Sequence, residues 1–208
     1  MKMKVYDVNA AEYDSWFDKN KAVFLSEIAA IKKFIPEKGE GVEIGTGTGR
    51  FAAELGIKTG VDISVPMMSF AVKRGVIALK ADASALPFMN DVFDYALLTT
   101  VICFLKKPAA ALKEACRVLK PKGVLIIGFV HKDGFLGRFY KKKKSVYYKH
   151  AVFYTAGEIK KMLKKAGFSG FKTIKTLSRM PSEIKKPELN GCKDGGFTVI
   201  AAVKKGDL

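Results

Sequence analysis

The sequence predicts an α/β fold built on a doubly wound, mostly parallel seven-stranded sheet with an antiparallel pair of strands at its edge. Between residues 41 and 130, short apolar segments alternate with helical patterns, which is typical of βαβ units. Residues 95–98 and 124–127 are continuously apolar, as expected for strands that are covered on both faces. The last two predicted strands, 168–177 and 195–204, have no helical pattern between them, so we expect them to pair antiparallel.

Two helices are predicted before the first strand. Asn9 and Glu12 have the spacing of a capping box, which predicts the start of the first helix. The second helix begins at about Lys21 and is ended by Pro36. The other elements follow in chain order: strand 41–45, a helix from 49, strand 58–62, helix 64–74, strands 76–81 and 93–100, helix 108–119, strand 122–130, and a helix from Thr155 to Ala166 that opens on a second capping box.

Composition limits the classes of protein that this chain can represent. Hydrophobic residues make up 49% of its 208 residues, enough for a full-sized core, but no apolar run reaches the roughly 18 residues that span a bilayer. Three widely spaced cysteines without a C-x-x-C pair predict neither a disulfide framework nor a zinc site, so a cytoplasmic location and no metal are expected. The absence of glutamine indicates a heat-adapted source.

The formal net charge of +17 favours an anionic partner. Nucleic acid, an anionic membrane surface and acidic ligands all satisfy that condition. Charge alone does not choose among them.

A glycine-rich turn links the first strand to the following helix. Gly45, Gly47 and Gly49 alternate along the chain, and such glycines let backbone amides approach a ligand closely. A dinucleotide-binding turn would place its third glycine at position 50, where this chain has Arg50. The Gly-Lys-Ser/Thr end of a phosphate-binding loop is also absent. The spacing therefore disfavours a nicotinamide-dependent dehydrogenase and a P-loop enzyme.

Several further motifs follow this turn in a fixed order. An acidic residue precedes the glycines, and other acidic and Pro-containing motifs occur near the ends of later strands: Glu43, Asp62 in residues 60–64, Asp82 in 81–83, Leu86-Pro87-Phe88, Phe93-Asp94-Tyr95, and Arg117 to Gly123. Over residues 9 to 130 the chain resembles the class I S-adenosylmethionine-dependent methyltransferases, in particular the methyltransferase type 11 group that includes ubiquinone and menaquinone biosynthesis methyltransferases. The resemblance implies a Rossmann-like methyltransferase fold and S-adenosyl-L-methionine as cofactor.

The resemblance also implies which residues bind the cofactor. Asp62 corresponds to the acid that holds the ribose diol, and it lies 17 residues beyond Gly45, close to the spacing of about 20 expected for ribose recognition in a βαβ unit. Asp82 lies where the family places a residue near the adenine, which Ile63 and Ala83 are expected to flank. The full set of expected cofactor-binding residues is Glu43, Gly45, Thr46, Gly47, Gly49, Asp62, Ile63, Asp82, Ala83 and Thr99.

No catalytic residue is assigned by the motifs. The family commonly has a histidine near the position of Cys103 or Phe104, and residues 99–104 of this chain contain none. Methyl transfer from a sulfonium depends mainly on positioning and on exclusion of water, and a base is needed only when the acceptor must lose a proton. Two candidates remain: His131 after the fifth strand, and Tyr13, which lies in a stretch that resembles the family's N-terminal lid.

The segment Lys132–Lys149 is rich in basic and aromatic residues, with seven lysines or arginines against one aspartate. Three interpretations of this segment are open. It is a lid over a small substrate, in which case the lysines favour an anionic one, or it is a surface that binds nucleic-acid phosphates and stacks bases. The third interpretation is a solvated loop. The Asn/Asp-Pro-Pro-Tyr motif of methyltransferases that act on base amino groups is absent after the fourth strand.

We therefore expect one methyltransferase domain over residues 1–208 that methylates a small-molecule acceptor by in-line displacement. The alternatives are an RNA-directed methyltransferase that uses residues 132–149, and a protein that binds the cofactor without catalysis. The expected parts are an N-terminal helical lid (1–38), a cofactor-binding core (41–130), a basic and aromatic substrate cover (131–154), and a C-terminal helix with edge strands (155–208).

Overall fold

The computed structural model describes residues 4–142 and 147–206. Its helices are α1 Lys4–Val8, α2 Ala10–Lys19, α3 Lys21–Lys32, α4 Arg50–Leu55, α5 Val65–Lys73, α6 Pro108–Val118, α7 Phe135–Lys142 and α8 Ala156–Lys165. Its strands are β1 Gly41–Ile44, β2 Thr59–Asp62, β3 Ile77–Lys80, β4 Phe93–Thr99, β5 Leu119–Val130, β6 Phe168–Thr176 and β7 Phe197–Lys204. No helix of this described part is long and apolar enough to cross a membrane.

The strands form one sheet in the order β3-β2-β1-β4-β5-β7-β6. The neighbouring pairs from β3 to β5 are parallel, whereas β7 runs antiparallel to both β5 and β6. The order reverses direction at β1, because the chain moves outward from β1 to β3 and then returns to place β4 on the other side. The prediction of a doubly wound sheet with an antiparallel edge pair is confirmed.

Both faces of the sheet are covered, which explains the continuously apolar strands. Successive side chains of a strand point to opposite faces. In β4, Ala96 and Leu98 belong to one buried cluster, whereas Tyr95 and Leu97 belong to the other. A strand buried on both sides cannot alternate with polar residues, so its sequence is apolar throughout.

Four local predictions differ from the structure. Three helices, not two, precede the first strand, because the short helix α1 was not predicted. The capping box at Asn9 is wrong: the side chain makes no cap hydrogen bond and donates instead to the carbonyl of Val5, because α1 ends directly before it. Strand β5 begins at Leu119, earlier than residue 122, because Leu119 already pairs with Phe93. Helix α7 was not predicted, since Gly137 and Arg138 interrupt its short apolar pattern and lysines follow it.

Candidate active site

A cavity lies at the carboxyl ends of β1, β2 and β4, where the strand order reverses. Open α/β sheets bind ligands at this position, because the loops that leave neighbouring strands diverge there. The cavity measures about 460 Å3. It is lined by the loops after β1, β2, β3 and β4 and by side chains of α1 and α2. Of the expected cofactor-binding residues, the cavity brings together Glu43, Gly45, Thr46, Gly47, Asp62, Ile63, Asp82, Ala83 and Thr99.

The glycines of the loop after β1 have left-handed backbone conformations, with φ of 78° at Gly45 and 53° at Gly47. A Cβ atom on Gly45 would lie 2.3 Å from a methyl carbon of Val101, so only glycine fits there. Gly47 has open space around it, with one flexible atom of Met67 at 3.3 Å, and its backbone therefore forms an open edge of the cavity.

Gly49 differs from the other two glycines, because it does not line the cavity. A Cβ atom there would lie 2.7 Å from the backbone and side chain of Ala71 on α5. Gly49 thus allows α4 to begin close against α5. Its glycine identity is explained by helix packing rather than by contact with a ligand.

Glu43 is 1% exposed and fixes the shape of the loop. Its Oε2 atom accepts hydrogen bonds from the hydroxyl of Thr46 (2.9 Å) and from the backbone amide of Ala52 (3.1 Å). Burial raises the pKa of Glu43 to about 8, against the opposing effect of these two donors. The carboxylate is therefore a buried acid whose charged form gains from a cation bound in the cavity.

Asp62 ends β2 and is held by the loops on either side. Its two carboxylate oxygens accept hydrogen bonds from the amides of Gly47 (2.8 Å) and Ser64 (2.9 Å). Burial raises the pKa of Asp62, and the amides of Ser64, Gly47 and Ile63 act in the opposite direction. Because each carboxylate oxygen has two lone pairs, the orientation fixed by these amides leaves acceptor capacity toward the cavity.

Two residues expected near the adenine border the opening of the cavity. Asp82 is exposed, and its Oδ1 atom accepts from the amide and hydroxyl of Ser84, which lower its pKa. Ile63 is 42% exposed, an unusual exposure for an isoleucine beside a buried aspartate. An aromatic base packed on Ile63 would cover this apolar surface.

The end of β4 carries a polar atom without a partner. Thr99 is 4% exposed and lines the cavity, and among the described residues none forms a hydrogen bond with its hydroxyl. The next residue, Thr100, has a left-handed φ of 57°, which is rare for a β-branched residue. A buried orphan hydroxyl beside strained backbone fits a site that a polar ligand completes.

Helices α1 and α2 cover the cavity, and two arginines hold α2 in place. Asp14 on α2 receives hydrogen bonds at 2.8 Å from the guanidinium groups of Arg50 and Arg74, and Arg50 also pairs with Asp18 at 2.6 Å. Arg50 thus anchors α2, and it does so from the position where a dinucleotide-binding loop has glycine. Spacing alone could not show this role, because the two partners lie 36 and 32 positions earlier in the chain.

Aromatic side chains close one part of the cavity. Tyr6 on α1, Tyr13 on α2 and Phe104 after β4 all line it, with ring centroids 5.7 Å apart for Tyr6 and Tyr13 and 5.5 Å apart for Tyr6 and Phe104. We call these three residues the aromatic wall. Of the three, only Tyr13 was a candidate from the sequence, because Tyr6 and Phe104 carry no motif.

His131, the other candidate from the sequence, does not line the cavity. Its ring nitrogens each lie 3.2 Å from a backbone amide nitrogen, those of Asp133 and Ala156, and burial lowers its pKa. The histidine therefore joins the end of β5 to the start of α8.

In the described ranges no group of three or more His, Cys, Asp or Glu residues could hold a metal ion.

Several aromatic residues of the segment 132–149 pack inward, whereas Phe139 is 37% exposed. On α7, Leu136 is buried, and Phe135 and Tyr140 pack against the core beneath the sheet. Tyr148 stacks on Tyr140 and Phe104, with centroids 4.4 and 5.9 Å apart. The run Lys141–Lys144 is only partly described: Lys141 and Lys142 are exposed, whereas residues 143–146 lie outside the described ranges.

Comparisons with known proteins agree with this geometry. A family model described as a methyltransferase domain matches residues 42–127. An uncharacterized protein of Methanocaldococcus jannaschii is 46% identical over 205 residues, which cover 97% of this chain and all of the relative. The crystal structure of a Thermotoga maritima protein, described as an S-adenosylmethionine-dependent methyltransferase and possible histamine N-methyltransferase, is 45% identical with a TM-score of 0.94, over 99% of this chain and 100% of that one.

A more distant structure shares the fold alone. Haemonchus contortus phosphoethanolamine N-methyltransferase 2, in complex with phosphomonomethylethanolamine and S-adenosylhomocysteine, has a TM-score of 0.65 at 23% identity. The alignment covers 86% of this chain and 52% of that protein. The proteins that are 46% and 45% identical to this chain come from Methanocaldococcus and Thermotoga, which agrees with a heat-adapted source.

Proposed function

Because this chain belongs to the class I S-adenosylmethionine-dependent methyltransferases, an enzyme family that uses S-adenosylmethionine, we propose that it methylates a small-molecule acceptor held against the aromatic wall. The observation that carries this proposal is the cover formed by α1 and α2. Tyr6 and Tyr13 line the same cavity as the glycine loop and Asp62, so an acceptor beside them lies within the enclosed space.

The proposed cofactor contacts follow from the groups that remain free to bind. Asp62 would accept hydrogen bonds from the ribose hydroxyls, and Ile63, Asp82 and Ala83 would surround the adenine. The backbone of Gly45 and Gly47 would lie against the methionine portion, with Glu43 below it. The orphan hydroxyl of Thr99 would bond to the polar end of that portion.

The chain's own contribution to catalysis is then positioning and exclusion of water. The bound cofactor supplies an activated methyl group on a positively charged sulfur. The aromatic wall would hold the acceptor in line with that methyl group, and the helices would keep bulk water out. Within the described residues Tyr13 alone among the sequence candidates touches this space, so we propose it as an acceptor-positioning residue.

The inward packing of Tyr140 and Tyr148 disfavours the RNA-directed alternative. Bases stack on exposed aromatic faces, yet Tyr140 and Tyr148 are engaged with each other and Phe104. The lid is thus the more fitting of the hypotheses for residues 132–149. The description of the Thermotoga relative as a possible histamine N-methyltransferase also supports a small acceptor.

The test is transfer of a radiolabelled methyl group from S-adenosylmethionine to panels of small amines, phenols, carboxylates and thiols, and to total RNA. We expect label in at least one small-molecule panel and none in RNA. Label in RNA alone would refute the small-molecule proposal. Cofactor binding without transfer to any panel would favour the non-catalytic alternative.

A further inference from the structure

A second cavity lies on the surface of helix α8, outside the active site. It measures about 250 Å3 and is lined by Tyr154, Met162 and three charged residues, Glu158, Lys161 and Lys165. The four that belong to α8 stand at positions i, i+3, i+4 and i+7, so they form one stripe along the helix. None of the five lines the active-site cavity. We call this cavity the α8 depression, and the site described above gives it no role.

The apolar part of the α8 depression rests on fixed backbone. Tyr154 and Met162 pack against the buried core. The backbone of Tyr154 forms a β-bridge with His131, and its carbonyl accepts a hydrogen bond from the amide of Lys132 at 2.9 Å. Because the backbone that carries the ring is held in place, stacking a planar group on Tyr154 would cost little ordering of the chain.

The acids nearest to the lysines of α8 already have partners. Glu158 accepts hydrogen bonds from the amide of Thr155 at 2.7 Å and from the ammonium group of Lys132 at 3.0 Å. Glu114 lies on α6, which packs beside α8, and it is paired with Arg117 at 2.7 Å. Neither carboxylate is therefore left to neutralise the lysines.

Helix α8 carries four lysines, which we call the lysine face: Lys160, Lys161, Lys164 and Lys165. In the part of the chain that the structure describes, none of the four forms an ion pair. The last three of them are exposed. The ammonium group of Lys164 lies 6.0 Å from the ring centroid of Phe171 on the neighbouring strand β6, within the range of a cation–π contact. The lysine face thus presents positive charge that no carboxylate offsets.

The excess of positive charge extends beyond what the helix itself requires. Cations in the last turn of a helix interact favourably with its dipole, which accounts for Lys164 and Lys165. It does not account for Lys160 and Lys161, or for exposed Lys172 on the edge strand β6. Between residues 159 and 182 the chain has seven basic residues and no acidic one. Such a stretch favours an extended anionic partner over a single small anion.

Among extended anions, the surface fits a nucleic-acid strand better than a membrane or an acidic peptide. A helix that lies on a membrane presents large apolar side chains beside its lysines. On α8, Ile159 and Leu163 are fully buried instead, and no large hydrophobic residue of α8 or β6 is among the exposed ones of the described chain. An acidic peptide would engage the lysines but would leave the ring of Tyr154 unused. Single-stranded nucleic acid uses both, because its bases stack on aromatic rings while its phosphates meet cations.

We propose that the α8 depression and the lysine face bind single-stranded RNA, a function beyond methyl transfer and separate from it. One base stacks on Tyr154 beside Met162, and the ammonium groups of Lys161 and Lys165 meet the flanking phosphates. The other two lysines of the face continue the contact along the strand. Since this surface does not line the active-site cavity, the bound strand is not the methyl acceptor.

The experiment measures fluorescence anisotropy of a labelled 12-nucleotide oligoadenylate RNA titrated with the full chain. We expect a Kd of about 10 µM or tighter at about 50 mM salt. Three or four phosphate contacts should give a slope of log affinity against log salt of about −2 to −3, since each contributes about −0.7 on a single strand. A 12-residue oligoglutamate and phosphatidylglycerol vesicles should bind at least 10-fold more weakly. No binding of the RNA, a slope near zero, or equal or tighter binding of the peptide or the vesicles overturns the proposal.

A matched pair of fourfold variants separates the lysine face from the net charge of the chain. Replacing the four lysines of the face with serine should weaken RNA binding about 10-fold or more and flatten the salt slope. The control replaces four exposed lysines elsewhere and should retain most of the affinity: Lys32, Lys33, Lys38 and Lys58. Affinity for S-adenosylhomocysteine, equal to that of the wild type in both variants, checks that they fold. An equal loss of RNA binding in the two variants would mean that net charge alone is responsible, which overturns the proposal.

Substitutions of Tyr154 test the stacking contact. Tyr154→Leu should weaken RNA binding about 5-fold or more with the salt slope unchanged, because the phosphate contacts remain. Tyr154→Phe, which keeps the ring, should retain most of the affinity. Affinity of Tyr154→Leu equal to that of the wild type would refute the α8 depression as a base site.

The result is separable from that for the methyl acceptor. In the transfer assay described above, RNA should remain unlabelled even at concentrations that saturate the lysine face. Label in the bound strand would refute the separation of the two sites. Failure to bind RNA would leave the proposed small-molecule activity untouched, because neither the cofactor site nor the aromatic wall includes a residue of α8.

Discussion

Replacing Asp14 with asparagine should loosen the cover of the active site. The Asp14 side chain is 10% exposed and accepts three hydrogen bonds from guanidinium groups: from Arg50 Nε at 3.0 Å, Arg50 Nη2 at 2.8 Å and Arg74 Nη2 at 2.8 Å. Burial would raise the pKa of Asp14, but the bonds from Arg50, Thr48 and Arg74 outweigh it and hold that pKa below its usual value.

The expected loss of stability follows from these contacts. An asparagine keeps one acceptor oxygen, so at least one hydrogen bond to a charged group is lost, worth about 1.5–3 kcal/mol. Breaking a fully buried ion pair costs about 3–5 kcal/mol. The side chains of Arg50 and Arg74 keep some access to solvent, so the loss should be smaller here. We therefore expect the free energy of unfolding to fall by about 2–3 kcal/mol and Tm to fall by about 4–12 °C.

The assay is thermal unfolding with and without S-adenosylhomocysteine, together with limited proteolysis of residues 4–20. Asp18→Asn is the matched control, because Asp18 also pairs with Arg50 but its side chain is 68% exposed, so its Tm should stay near that of the wild type. In the wild type, the stabilisation from Asp14 is present above the unfolded pKa of about 3.9 and is lost as the pH falls through the lower folded pKa. Equal Tm values for the two variants would refute the reasoning.

Three further predictions concern the cofactor and the basic run. Asp62→Ala should weaken S-adenosylhomocysteine binding by about 10- to 150-fold in calorimetry, because a charged acceptor is lost; unchanged affinity would contradict the ribose assignment. Burial raises the pKa of Glu43 to about 8, so the carboxylate ionises as the pH rises from 6 to 8. Over this range the affinity for S-adenosylmethionine, whose sulfur is cationic, should rise more than the affinity for S-adenosylhomocysteine, whose sulfur is neutral. Glu43→Gln should abolish that difference. Replacing Lys141–Lys144 with serine should leave cofactor affinity unchanged, and a loss would show that the run contributes to the cofactor site.

The central sheet was predictable because its strands are buried on both faces. Residues of β4 and β5 must be apolar at every position, so their runs are visible without knowledge of the tertiary structure. The left-handed conformations at Gly45 and Gly47 explain why the turn after β1 is equally visible. In such places the local sequence and the final environment impose the same requirement.

The missed features depend on contacts between distant parts of the chain. The capping pattern at Asn9 is real, but α1 supplies a competing acceptor at Val5 that takes its side chain. The apolar face of α7 is formed by Phe135, Leu136 and Tyr140, and the adjoining lysines conceal its helical period. The wall residue Tyr6 has no local signature, because its position depends on how α1 lies over the cavity.

The carboxylates around the cavity differ in the donors that meet them, and these donors explain their roles. Glu43 is met by a hydroxyl and an amide, Asp62 by two amides, and Asp14 by two guanidinium groups, so each fixes a neighbouring loop or helix. Asp82 is met by Ser84 and remains exposed. Glu27 has no such donor among the described residues, although it is buried as deeply as Asp14. Burial without such a donor therefore raises the pKa of Glu27 to about 8, whereas the guanidinium donors hold the pKa of Asp14 below its usual value.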